Sequence, residues 1–211
     1  ISLKERYMLV SKQAPNFTAT AVMPDGSMKG DFSLEDFRGK KVVLFFYPLD
    51  FTFVCPTELL AFDHRVAEFE KRNTQVIGVS IDSQFSHLAW RETATDKGGI
   101  GPVKYPLVSD LDKSISRAYD VLLGRDEEGN GGGVALRASY LIDEEGLIMH
   151  AVINNLPLGR NIDEMLRMVD ALAFHQEHGE VCPAGWQDGD SGMNPSTEGV
   201  ADYLSKNAEK L

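Results

Sequence analysis

Six consecutive apolar β-formers, Val42-Val-Leu-Phe-Phe-Tyr47, bounded by Gly39-Lys-Lys41 before them and Pro48 after them, narrow the folds open to this chain more than any other feature. A run with no polar position has no face to offer water, so it reads as a strand covered on both sides. The period then changes. Over residues 56–72 the apolar side chains Leu59, Leu60, Phe62, Val66 and Phe69 recur at helical spacing with charges between them, which predicts an amphipathic helix. Residues 75–81 read as the next strand and 84–93 as a helix that ends before the breaker Gly98-Gly-Ile-Gly101. Strand, helix and strand of these lengths make a parallel crossover unit, which places the chain among α/β folds.

Further along, residues 111–119 predict a short helix, and the acidic, glycine-dense stretch 125–133 predicts an exposed loop. Two strands are expected at 138–142 and 147–153, joined by Asp143-Glu-Glu-Gly146, whose glycine suits a tight hairpin turn. Residues 161–175 place Ile162, Met165, Leu166, Val169 and Leu172 on one helical face, with Asp163 and Glu164 complementing the dipole in the first turn. Beyond Gly179 the pattern stops, and Cys182 sits before a segment rich in Gly, Pro, Asp and Ser that reads as an arm. The expected division is therefore one domain over 8–175 and a C-terminal arm over 176–211. Residues 1–7, which precede the internal Met8, read as a vector-derived extension without function.

Charge and cysteine count exclude several functions. With 32 acidic against 21 basic side chains, a net charge of -11 and no Lys/Arg cluster, the chain is ill suited to neutralise phosphate backbones, so no nucleic-acid partner is expected. No apolar run approaches the roughly 18 residues of a membrane span, and no charged-then-apolar secretory pattern opens the chain, so no membrane is expected and the location is expected to be cytoplasmic. Two cysteines so far apart make neither a four-thiolate zinc site, a disulfide scaffold nor a CxxC pair. They are inert thiols or reactive ones.

The segment Pro48-Leu-Asp-Phe-Thr52-Phe-Val-Cys55-Pro56-Thr-Glu58 puts a cysteine where the buried strand gives way to the helix. Pro56 suits a first helical position, which sets Cys55 at or beside the N-cap. There the free backbone N–H groups and the positive end of the dipole favour a thiolate. Thr52, three residues earlier, is placed to donate a hydrogen bond to the sulfur or to an oxygen bound next to it. A free cysteine is most often a buried, inert one. The helix start, the proline and the hydroxyl favour a nucleophile instead, without saying what it attacks.

The pattern Pro-x-x-x-Thr-x-x-Cys over 48–55 resembles the active site of the peroxiredoxins. Val181-Cys182-Pro-Ala-Gly-Trp186 resembles the resolving-cysteine segment of their typical two-cysteine subfamily, and Leu156-Pro-Leu-Gly-Arg160 and Gly98-Gly-Ile-Gly101 are similar to further family motifs. The resemblance runs from Met8 onward and is close to the alkyl hydroperoxide reductase C and thioredoxin peroxidase branch. It implies a thioredoxin-like fold, with a central mixed β-sheet flanked by helices and an extended C-terminal arm. It implies a thiol-dependent peroxidase acting on hydrogen peroxide and organic hydroperoxides, in which Cys55 is the peroxidatic cysteine and becomes a sulfenic acid. Thr52 and Arg137 would complete the site, because a hydroxyl and a guanidinium stabilise negative charge on the departing oxygen. Pro48 would shield the pocket from water, and Glu58 would orient Arg137 and also Arg160. Cys182 would condense with the sulfenic acid of a partner subunit, which stops the sulfur from climbing the oxidation ladder. The implied electron donor is thioredoxin or a dedicated flavoprotein disulfide reductase, and the implied assembly is a homodimer that builds a ring of five dimers.

Other patterns carry less. His175, His178 and Cys182 lack a fourth zinc ligand, Asp110-Leu-Asp-Lys-Ser114 meets Ile115 where a calcium loop needs glycine, and Gly129-Asn-Gly-Gly-Gly133 follows no phosphate fingerprint. No cofactor or metal is therefore expected. A thioredoxin-type oxidoreductase would need a second cysteine close in sequence, and a ring without catalysis would leave the 48–55 constellation purposeless. One departure from the resemblance stands out. Family members easily inactivated by excess peroxide pair a Gly-Gly-Leu-Gly loop with a C-terminal Tyr-Phe, whereas this chain has Gly98-Gly-Ile-Gly101 and Tyr203-Leu204, which predicts intermediate or low sensitivity.

Overall fold

The computed structural model describes residues 8–124 and 133–211. The extension expected at 1–7 and, apart from Gly133, the loop expected at 125–133 lie outside the described residues. The chain divides into two compact units, Ile1–Ile162 and Asp163–Leu211. The division falls at the head of the helix expected at 161–175, where the sequence reading set it at that helix's end.

In the first unit a seven-stranded mixed sheet has the order β2-β1-β5-β4-β3-β6-β7, with β1 at Thr18–Val22, β2 at Met28–Ser33, β3 at Lys41–Phe46, β4 at Thr74–Ser80, β5 at Leu107–Ser109, β6 at Arg137–Ile142 and β7 at Ile148–Asn154. The apolar run forms β3, buried at all six positions and paired parallel to β4 and antiparallel to β6. Alternation sorts its side chains. Val42, Leu44 and Phe46 face a core with Ile77, Val79, Tyr119 and Tyr140. On β3's other face Phe45 stacks on Phe62 at 4.1 Å and meets Tyr105 edge-on at 5.6 Å. The expected hairpin joins β6 and β7, with Gly146 at φ +85° in a conformation L side chains rarely adopt.

The helix expected over 56–72 is two, α1 at Cys55–Asp63 and α2 at Val66–Lys71. The Arg65 amide turns to the Phe62 carbonyl instead of that of Ala61, and the Arg65 guanidinium takes the vacated Ala61 oxygen at 3.1 Å. Apolar periodicity cannot register such a break, because both halves keep their buried face. Helix α3 spans Gln84–Glu92, capped by the Ser83 hydroxyl, and α4 spans Ser114–Ala118, a shorter piece of the helix expected at 111–119. Three strands were not legible: β1 buries only Ala21 and Val22, β2 buries only Phe32, and β5 has three residues.

The second unit holds most of α5, Ile162–His178, and a helix not anticipated from periodicity, α6 at Thr197–Asn207, capped by Ser196. Between them the segment expected to be an arm has local order: Val181 and Met193 exchange backbone hydrogen bonds at 2.9 Å each, and the buried Trp186 ring lies 4.9 Å from that of Phe174. Among the described residues no helix is long and apolar enough to cross a membrane.

Candidate active site

Residues 47–54 carry the chain from the end of β3 to the start of α1. Cys55 is the first residue of that helix, with Val54 at the N-cap and Pro56 at the second position, one place later than expected. The sulfur is fully buried, at the helix end where unpaired N–H groups favour negative charge. Pro48 is buried on the same segment.

Three polar side chains converge on or behind Cys55. Thr52 Oγ1 lies 2.9 Å from Sγ and 2.8 Å from the Leu49 carbonyl. A hydroxyl has one proton, so it donates to Leu49 while the sulfur is a thiol and can turn to the sulfur once that is a thiolate. Arg137 Nη1 stands 3.3 Å from Sγ and donates to Glu58 Oε2 at 2.7 Å, while its Nε donates to the Leu156 carbonyl at 2.6 Å. Topology puts it there. Arg137 opens β6 two residues before Ser139, which pairs with Phe45 near the end of β3, so the guanidinium comes level with the outgoing segment.

Glu58 follows Cys55 on α1 and is held from two sides. Its Oε1 accepts from the Arg160 amide at 2.9 Å and from Arg160 Nε at 2.8 Å, and its Oε2 accepts from Arg160 Nη2 at 3.0 Å. Burial pushes the Glu58 carboxyl up, but Arg160 and then Arg137 outweigh it and hold it below its ordinary value, so it stays a carboxylate. Burial likewise works against the Arg137 charge, yet the facing Cys55 sulfur and Glu58 carboxylate raise it above its ordinary value. Arg160 Nη1 is further fixed by the Phe46 and Ala138 carbonyls at 2.9 and 2.6 Å and by Ser139 Oγ at 3.0 Å.

The structure thus brings together Cys55, Thr52, Glu58 and Arg137, with Arg160 behind them. Cys182 belongs to the other unit, where it is partly exposed and its Sγ lies 3.4 Å from the Ala171 carbonyl. Burial pushes its thiol up, with Arg167 pulling partly against that. Both cysteines are free. Among the described residues no group of three or more His, Cys, Asp or Glu could hold a metal ion, and His175 Nδ1 is engaged by the Glu180 carbonyl at 2.7 Å. A pair that sequence reasoning missed, Asp50 on the 47–54 segment and His87 on α3, is buried. The signal was a histidine among the apolar-facing positions of α3, which spacing alone does not distinguish from a core residue.

A buried sulfur nucleophile at a helix start, next to a hydroxyl and a fixed guanidinium, can displace an oxygen and stabilise the charge on it as it departs. Comparison with known proteins agrees in kind. The family model described as "AhpC/TSA family" matches residues 10–151, and one described as "C-terminal domain of 1-Cys peroxiredoxin" matches residues 171–206. Alkyl hydroperoxide reductase C of Helicobacter pylori (strain J99) is 56% identical over 97% of this chain and 100% of its own length. Peroxiredoxin-1 of Gallus gallus is 51% identical over 93% of this chain and 96% of its own. The crystal structure of reduced Plasmodium vivax 2-Cys peroxiredoxin superposes with a TM-score of 0.89 at 49% identity, covering 94% of this chain and 100% of that one.

Proposed function

Because this chain belongs to the AhpC/TSA family and is a peroxiredoxin, a thiol-dependent peroxidase, we propose that Cys55 is its peroxidatic residue and Cys182 its resolving one. One observation carries the assignment. Cys55 Sγ is buried within 2.9 Å of the Thr52 hydroxyl and 3.3 Å of the Arg137 guanidinium, where charge on a leaving oxygen would be met by two donors.

In the first step the thiolate lone pair attacks one peroxide oxygen. An S–O bond forms, the O–O bond breaks, and its electron pair leaves on the other oxygen, which takes a proton to become water or an alcohol. Thr52 and Arg137 stabilise that oxygen as charge develops on it. Glu58, fixed by Arg160, holds Arg137 in place, and Pro48 keeps water from the pocket. In the second step the Cys182 sulfur attacks the Cys55 sulfenic acid, an S–S bond forms and hydroxide leaves as water. A dithiol donor returns two electrons and two protons and restores both thiols.

The partner in the second step is a Cys182 of another subunit, and the donor is thioredoxin or a dedicated flavoprotein disulfide reductase. The assembly is a homodimer able to build a ring of five dimers. The exposed Phe51, Phe53 and Phe85 support association, since aromatic side chains left in water favour contact with a second surface. A reducing cytoplasm suits a cycle that must return to two free thiols.

Adding equimolar hydroperoxide and running non-reducing gels of wild type, Cys55→Ser and Cys182→Ser tests the assignment. A covalent dimer should form in wild type and in neither variant, and Cys55→Ser should stop peroxide consumption. Undiminished consumption by Cys55→Ser would overturn it.

A further inference from the structure

A buried polar cluster that none of the steps above uses ties the segment between β3 and α1 to its neighbours. Asp50 is its centre. Its Oδ1 accepts from the Tyr47 hydroxyl at 2.8 Å, and its Oδ2 meets the Ser86 hydroxyl and His87 Nδ1, each at 2.8 Å. The His87 side chain is fully buried, and its Nε2 lies 3.2 Å from the Val108 carbonyl of β5, so the ring is held at both ends. The Asp50 amide donates to Asp82 at 2.9 Å, and the same Asp82 oxygen accepts from Ser80, the last residue of β4, at 2.6 Å. One residue of the segment is thereby tied to α3 and β5 through its side chain and to the end of β4 through its backbone.

The neighbours of Asp50 show what the tie holds. Pro48 lies two residues before it and Thr52 two residues after it. Phe51, between Asp50 and Thr52, has φ +53°, a left-handed conformation that is strained for an aromatic residue and persists only where the surroundings dictate it. Its ring lies 5.8 Å from that of Trp90 on α3, the helix that also carries Ser86 and His87. For packing alone this polar set is a poor choice. Well-packed apolar side chains of similar volume usually stabilise a core at least as well as a buried polar network. The geometry it imposes gives it a reason to exist.

We propose that Asp50 and His87, with Tyr47, are positioning residues that fix Thr52 and Pro48 for the attack on peroxide, and so set the rate of that reaction without setting the general reactivity of the Cys55 sulfur. Thr52 and Pro48 matter to an oxygen substrate that must be aligned. A small alkylating agent needs the sulfur and no alignment of an O–O bond. The inference rests on the peroxidase assignment above, and its test separates the two.

Reduced wild type, Asp50→Asn and Tyr47→Phe should each be mixed with hydrogen peroxide and, separately, with iodoacetamide, and the two rate constants of Cys55 measured. We expect peroxide reactivity to fall about tenfold or more in Asp50→Asn and about threefold in Tyr47→Phe, since small misplacements of aligned groups cost one to two orders of magnitude in rate. Iodoacetamide reactivity should stay within about twofold in both. Unchanged peroxide rates, or equal losses with both reagents, would overturn the inference. If Asp50→Asn loses its near-ultraviolet circular dichroism, Tyr47→Phe, which deletes a single oxygen, decides alone. A wild type that does not react with peroxide would instead defeat the peroxidase assignment.

Discussion

Glu58 and Arg137 meet through Oε2 and Nη1 at 2.7 Å, and neither side chain is more than 5% exposed. The same guanidinium nitrogen reaches Cys55 Sγ, so the carboxylate that neutralises Arg137 also aims it. A buried charge that loses its partner is more costly than the pair was favourable. Glu58→Gln should therefore destabilise the fold by about 3 kcal/mol, read as a lower urea midpoint at unchanged slope. It should also slow oxidation of Cys55 by peroxide.

The Glu58 pair also predicts acid sensitivity. A carboxyl held below its ordinary 4.5 contributes stability that is complete above that value and is lost as pH falls through the lower folded-state value. Wild type should therefore lose stability more steeply than Glu58→Gln as pH drops below about 4.5, measured by urea unfolding at a series of acid pH values. Parallel curves would remove Glu58 as a cause.

Thr52 offers the one hydroxyl contact on the sulfur among the described residues, at 2.9 Å. Removing one donor aimed at developing charge costs about a hundredfold in rate. Thr52→Val should thus lower the peroxide rate constant by that order, while Thr52→Ser, which keeps the oxygen, should retain most of it. Stopped-flow fluorescence with hydrogen peroxide would separate the two.

The thiol of Cys182 lies above its ordinary value of 9.0, chiefly through burial. At neutral pH it is protonated and should be alkylated slowly. In Cys55→Ser protein, the rate of Cys182 alkylation by iodoacetamide, followed by mass spectrometry, should keep rising beyond pH 9.0. A plateau reached near neutrality would contradict this.

Gly98 and Gly101 of the Gly98-Gly-Ile-Gly101 loop both have positive φ, and the Gly98 carbonyl accepts from Trp90 Nε1 at 2.8 Å. The tail carries Tyr203 and Leu204 on α6, and Leu204 is exposed. Since Leu204 follows Tyr203 in place of the Tyr-Phe that the family resemblance ties to sensitivity, sulfinic acid at Cys55 should accumulate only at intermediate or high peroxide in the presence of reductant. Mass spectrometry after graded peroxide measures it, and sulfinic acid within the first few turnovers would refute the expectation.

Much of the frame was legible because it is local. The six apolar residues of β3, the period of α3 and α5, and the glycine of the β6–β7 turn each act on near neighbours in the chain. The break between α1 and α2 was not legible, since it depends on one arginine reaching one carbonyl. Nor was the Asp50–His87 pair, 37 positions apart, visible in any spacing.

By itself the sequence determined that a buried strand runs into a helix beginning at a cysteine, because hydrophobic periodicity and proline geometry are properties of adjacent residues. Thr52, three residues before that cysteine, was legible the same way, whereas motif resemblance supplied Arg137, Glu58 and Cys182 as names without positions. Tertiary structure alone decided that Arg137 faces a sulfur 82 residues away, because that depends on β6 lying antiparallel to β3 in register. It decided too that Arg160 holds Glu58 across 102 residues, since a buried carboxylate takes whatever donors the folded chain brings to it.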